Sequence, residues 1–148
     1  MLKAVRATQL EGQVMNFGQA IALGFSKYLD FTGRASRSEF WFWVLFAVIG
    51  AITTNTLDAA IFVYHNSVSP LNSPLSNIFT VVALLPSLAV ATRRLHDVDR
   101  TGWWMLLVFT GIGIIALLYW QGQEGTPNQN RFGPNPSTTR HLMARQAL

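Results

Sequence analysis

Between residues 93 and 100 the chain places Arg93, Arg94, His96, Asp97, Asp99 and Arg100. Three guanidinium groups, two carboxylates and an imidazole in one short stretch suit several kinds of chemistry. Arg93 and Arg94 could grip a lipid phosphate through paired N–H donors. His96 with Asp97 or Asp99 could move protons, because imidazole titrates near neutral pH. The structural alternative is that cations at a helix C-terminus complement its dipole, fix orientation and pair with Glu39 or Asp97. Asp99 or Thr101 would then cap the following helix. A metal site is disfavoured, since zinc takes three or four converging ligands and His65 and His141 lie in other segments. There is no cysteine, hence no thiolate site. No nucleophile–base pair, Gly-rich phosphate loop or HExxH motif points to an enzyme or a cofactor.

Three further groups carry polar chemistry. Arg34 and Arg37, with Trp41 and Trp43, form a second candidate site for anionic lipid, or simply a positive anchor. Asp58, with Asn55 one turn earlier, puts a carboxylate and an amide on one helix face. A carboxylate at the bilayer centre is costly, so this pair could line an ion or proton path; near the outer interface it needs no such role. The tail segment Asn130, Arg131, Phe132, Gly133 and Pro134 reads as a docking loop or a capped turn.

The elements that must position these residues belong to a membrane. Half the residues are apolar and 12% are charged, with a net charge of +4, where a soluble domain has about 25% charged. No Asp, Glu, Lys or Arg lies between Asp58 and Arg93, or between Arg100 and Glu124. The basic balance points to anionic headgroups rather than nucleic acid, because the arginines flank apolar runs.

The fold expected is all-α: a bundle of about three transmembrane helices preceded by an amphipathic one. Residues 1–15 read as flexible, 16–136 as a single membrane-embedded domain and 137–148 as a tail. The start does not look like a signal peptide, since Gln9, Glu11, Gln13 and Asn16 interrupt any apolar core. Phe17, Ile21, Phe25 and Tyr28 share a helix face that would lie on the membrane surface or against the bundle. After the turn at Phe31–Arg34, Ser36 and Glu39 form a capping-box pattern. Spans are expected at 40–63, 75–92 and 103–120, the second kinked at Pro86, tolerably so if a neighbour satisfies the freed carbonyl. Trp41, Trp43, Trp103, Trp104 and Trp120 are placed to anchor at headgroup level, and Gly111-x-Gly113 permits close helix approach.

Lys and Arg set the orientation. Lys27, Arg34 and Arg37 precede the first span, and Arg93, Arg94 and Arg100 join the second to the third, whereas the 65–74 loop has no cation. The N-terminus is therefore expected in the cytoplasm. Three crossings put the tail outside, against the weak pull of Arg131, Arg140 and Arg145; a re-entrant segment hinged at Pro86 would return it to the inside.

Three segments together carry a family pattern: Phe31 to Trp43 (FTGRASRSEFWFW), Arg93 to Trp104 (RRLHDVDRTGWW) and the tail from Gly125-Thr126 to Asn130-Arg-Phe-Gly-Pro-Asn-Pro136. On these residues the chain resembles the small bacterial inner-membrane proteins of domain-of-unknown-function family 805, over about Phe17 to Pro136. The resemblance implies a few-span inner-membrane protein with no established reaction or substrate. Two positions depart from the usual pattern: Asn128 stands for Gly and Asn135 for Asp. Asn tolerates the left-handed conformation, so a turn at Asn128 is still expected.

Two function classes follow. The first is a non-enzymatic accessory or scaffold component that binds anionic lipid or a membrane-protein partner through the cytoplasmic face of Arg34, Arg37, Arg93, Arg94, His96, Asp97 and Arg100. The second is a small transporter or channel built from several copies, with Asp58 and Asn55 lining the path.

Overall fold

The computed structural model describes residues 15–62 and 73–138. The expected flexible start up to residue 14, residues 65–72 of the first loop and the last ten residues of the tail lie outside the described residues. The described residues are helical: α1 (Phe17–Ser26), α2 (Arg37–Phe62), α3 (Pro74–Asp97), a 3-10 helix (Gly102–Thr110) and α4 (Gly113–Gly122). Arg37–Ile61 of α2 and Pro74–Asp97 are long and apolar enough to cross a membrane, and only 6% of the most apolar window in α2 is buried. A soluble core helix would bury that surface, so its apolar side chains belong against lipid.

α1 starts at a reciprocal cap. Asn16 Oδ1 accepts the Gln19 N–H at 2.8 Å, and Gln19 Oε1 accepts the Asn16 N–H at 3.2 Å. This leaves two fewer donors unsatisfied at the helix start. The expected face then packs against the bundle: Phe17 meets Phe42, and Phe25 meets Trp43 and Phe46, all edge to face.

α2 and α3 form an antiparallel pair. Gly50 lets them close, since a Cβ there would overlap the Phe79 ring. Pro86 lies inside α3 and has no N–H for the carbonyl one turn back. That carbonyl, on Val82, accepts the Tyr28 hydroxyl at 2.6 Å, so a residue two positions past α1 supplies the donor that proline removes. Trp43 is buried rather than interfacial, and its indole N–H reaches Ser87 Oγ at 3.0 Å; Trp41 is 42% exposed, as an interfacial ring would be.

The third apolar segment differs from the straight span expected at 103–120. It breaks at Gly111, whose φ is +67°, and Gly113 packs so closely that a Cβ would overlap the Leu107 carbonyl. The two halves fold back on each other. Trp104 and Trp120 meet edge to face with centroids 5.2 Å apart, where a straight helix would separate them by about 24 Å. The segment is thus a hairpin with both ends at one end of the bundle. Gly111-x-Gly113 makes its tip rather than a helix-packing notch, and the tail emerges beside Arg94 instead of at the far end. The hinge that returns the chain is Gly111, not Pro86.

Candidate functional site

The end of the bundle where α2 begins and α3 finishes collects the charged residues. A turn delivers the first: Asp30 Oδ1 accepts the Thr32 hydroxyl at 2.6 Å and the Thr32 N–H at 3.0 Å. The Thr32 hydroxyl is the main cause that holds the Asp30 carboxyl below its ordinary range. Gly33 follows with φ +74°, and Ala35 donates to the Arg93 carbonyl at 2.9 Å. Arg34 is thereby fixed against the end of α3.

Three arginines and two carboxylates are then buried together. Arg93 pairs with Glu39 at 2.8 Å. Arg34 Nε and Nη2 both lie 2.8 Å from Asp97 Oδ1, while Arg94 pairs with Asp97 Oδ2. Ser36 Oγ caps α2 by accepting the Glu39 N–H at 3.3 Å, so the capping pattern also aims Glu39 at Arg93. Three cations against two anions leave a positive excess in a poorly solvated place. Main-chain carbonyls from the tail offset it. Arg34 donates to those of Thr126, Asn128 and Gly133, and Arg94 to those of Gln121 and Gln123.

The tail is therefore bolted across the site. Thr126 N–H reaches the Asp97 carbonyl at 2.8 Å, and Asn130 Nδ2 reaches the His96 carbonyl at 2.8 Å. His96 stacks flat on Phe132 with centroids 3.9 Å apart. Its Nδ1 lies 3.1 Å from the Gly33 carbonyl; a carbonyl only accepts, so Nδ1 carries the proton. Gly125 passes the Asp97 carboxylate so closely that a Cβ would overlap it. Gly133 turns the chain with φ +129°, and Pro134 follows. Asn135 donates to the Thr126 and Pro127 carbonyls, which an aspartate could not do. The left-handed turn expected at Asn128 is absent; among the described non-glycine residues only Asp99 has positive φ.

The geometry corrects several expectations. Arg93 and Arg94 are 0% exposed, so they do not form an open phosphate clamp: Arg94 donates to protein oxygens, and Arg93 is closed off against Glu39. Arg34 is buried with them and does not form an exposed site with Arg37. Neither Asp99 nor Thr101 caps the next helix; Thr101 holds the cap position without a side-chain bond, and Asp99 pairs with Arg131 at 3.2 Å. Asp58 caps α3, accepting the Leu75 and Ser76 N–H groups at 3.2 and 2.8 Å and the Ser76 hydroxyl at 2.6 Å. Asn55 donates to the Ala51 carbonyl at 2.7 Å. Both residues of the expected path are thus engaged in helix structure.

Some cations remain outward. Arg37 is half exposed and meets Glu124, itself 85% exposed, at 3.0 Å. Arg100 lies over the Trp120 ring at 4.9 Å and, among the described residues, meets no carboxylate. Arg131 covers Phe132 at 4.8 Å. Sequence reading missed Gly125, Thr126, Gln121 and Gln123 as members of the site, because they act largely through main-chain atoms or by lacking a side chain.

Residues 28–134 match the family described as "Protein of unknown function (DUF805)". The chain is 37% identical over 110 residues to the inner membrane protein YhaH of Escherichia coli (strain K12), covering 74% of this chain and 88% of YhaH. It is 41% identical over 112 residues to the inner membrane protein YhaI of the same strain, covering 74% of this chain and 87% of YhaI. No solved structure matches the chain significantly.

Proposed function

The chain belongs to the DUF805 family of proteins of unknown function, and from that premise we propose that it is a non-enzymatic accessory component of the bacterial inner membrane that engages anionic lipid headgroups through the outward cations of its arginine-rich end. Inner-membrane residence rests on the names of the relatives and on the two long apolar helices. In this reading α2 and α3 cross the bilayer and the Trp104–Trp120 hairpin re-enters it. Lys27, Arg34, Arg37, Arg93, Arg94, Arg100 and Arg131 then face the cytoplasm together, as the positive-inside rule favours. N-terminal helix and tail lie on that same side.

The observation that carries the lipid reading is a division of labour among the arginines. Arg34 and Arg94 hold the tail in place, and Arg93 is buried against Glu39. Arg37 and Arg100 stay outward at headgroup level, beside Trp41 and Trp103, which is 80% exposed. The Arg37–Glu124 pair is exposed, and pairs of that kind contribute about 0–1 kcal/mol, so a phosphate can replace Glu124 readily. A juxtamembrane arginine gains about 1 kcal/mol from an anionic surface.

Native mass spectrometry of protein released from nanodiscs tests this. Wild type is expected to retain phosphatidylglycerol in preference to phosphatidylcholine, and Arg37→Gln/Arg100→Gln to lose that preference. Equal retention of both lipids by wild type would end the headgroup reading.

A further inference from the structure

Below the outward cations runs an apolar groove of about 470 Å³ between α2, α3 and the hairpin, within the about 300–1,000 Å³ typical of small-molecule sites. Its α2 wall is the stripe Phe40, Val44, Ala47 and Ala51, a single helix face by spacing. Its opposite wall is Ile114, Leu117, Leu118 and Gln121 of α4, again one face. Phe40 to Ala51 spans about 16 Å at the helical rise, close to half of the about 30 Å hydrocarbon core. The groove is thus as deep as one leaflet.

Its polar end is distinct. One turn before Phe40, on the same face of α2, stands Arg37; three residues after Gln121, just past the end of α4, stands Glu124, its ion-pair partner. Gln121 is 6% exposed, lines the groove, and its side-chain amide has no hydrogen-bond partner among the described residues. Its main-chain carbonyl is meanwhile held by Arg94 Nε at 3.0 Å, which fixes where the amide can reach. An amide lining the groove, set between a cation and a leaflet-deep apolar channel, matches the order of groups along a glycerophospholipid: phosphate, ester, acyl chain.

We propose that this groove is a specific site for one anionic glycerophospholipid of the cytoplasmic leaflet, with an acyl chain between α2 and α4, the ester region at Gln121 and the phosphate at Arg37. The site rests on the headgroup reading above and adds to it a fixed seat for the chain. It also gives the buried arginines a purpose in binding: through the Gln121 carbonyl, Arg94 positions the wall that faces α2.

The test is photocrosslinking in nanodiscs with a phosphatidylglycerol that carries a diazirine in its acyl chain. Crosslinked residues are mapped by mass spectrometry. Groove positions such as Ala47, Leu88 and Leu118 are expected to take at least five times the label of the exposed Ile52, Ile78 and Ile115. Ala47→Phe, which fills the groove, is expected to abolish the groove label and leave the outer label unchanged. Gln121→Leu is expected to reduce it with the fold intact. Even labelling of all lipid-facing residues in wild type, or groove label untouched by Ala47→Phe, would overturn the site. The two readings part cleanly. Even labelling with phosphatidylglycerol still preferred by mass spectrometry retires the groove and leaves the headgroup reading. Focused labelling that a diazirine phosphatidylcholine reproduces keeps the chain seat but overturns the anionic specificity proposed here.

Discussion

Arg93 and Glu39 lie 54 positions apart in the chain and join at 2.8 Å, with 0% and 3% of their side chains exposed. Arg93 Nε and Nη2 are buried without a partner among the described residues, so Glu39 is its main counter-charge. Removing one member of a buried pair costs about 3–5 kcal/mol, whereas replacing both by apolar residues can be neutral. Glu39→Gln should therefore lower the melting temperature in detergent strongly, and Glu39→Leu/Arg93→Leu should recover most of it. A double variant as unstable as the single one would show that the pair is needed for more than charge balance.

The Tyr28 hydroxyl and Pro86 act on one carbonyl. Tyr28→Phe leaves Val82 unsatisfied in an apolar setting and should cost about 1–3 kcal/mol. In a Pro86→Ala background the helix supplies its own N–H, and the same substitution should cost much less. A double-mutant cycle by thermal denaturation reads the coupling; independent effects would mean that the contact carries no such role.

Gly125 marks where tail and cluster touch. A methyl group there runs into the Asp97 carboxylate, and overpacking costs about 1–3 kcal/mol. Gly125→Ala is expected to loosen the tail, seen as faster limited proteolysis after residue 122 with α2 and α3 still protected. Unchanged proteolysis would mean the latch yields without opening.

The hairpin places both ends of the third apolar segment together. The chain lacks cysteine, so single cysteines report topology without background. Val98→Cys and Ser137→Cys should label from the same side of inverted vesicles, and Ser73→Cys from the other. Label at Val98 and Ser137 from opposite sides would restore a straight third span.

Gly111 is the hinge of that hairpin. An alanine at its left-handed φ costs about 1–2 kcal/mol, and Gly113→Ala should cost more because its Cβ meets main chain. The loss of Trp104–Trp120 contact would appear as a change in tryptophan fluorescence before global unfolding. No spectral change in either variant would argue against the fold-back.

What the sequence alone determined was set by local chemistry. Charge-free apolar runs of span length, the capping pattern at Ser36 and Glu39 and the clustering of Arg93 to Arg100 follow from residue type and spacing, and they give a helical membrane protein with one charged end. The pairing of the arginines with Glu39 and Asp97 was among the readings open from sequence. The tertiary structure decided which arginines are spent and which face out, since contacts between residues 34, 97 and 126–133 have no local signal. It also decided the path of the third segment. Two apolar halves around Gly111 read alike whether straight or folded, because hydropathy records burial from water and not direction. The edge-to-face meeting of Trp104 and Trp120, and the carbonyls that Gln121 and Gln123 offer to Arg94, help bring the tail back to the end where the chain began.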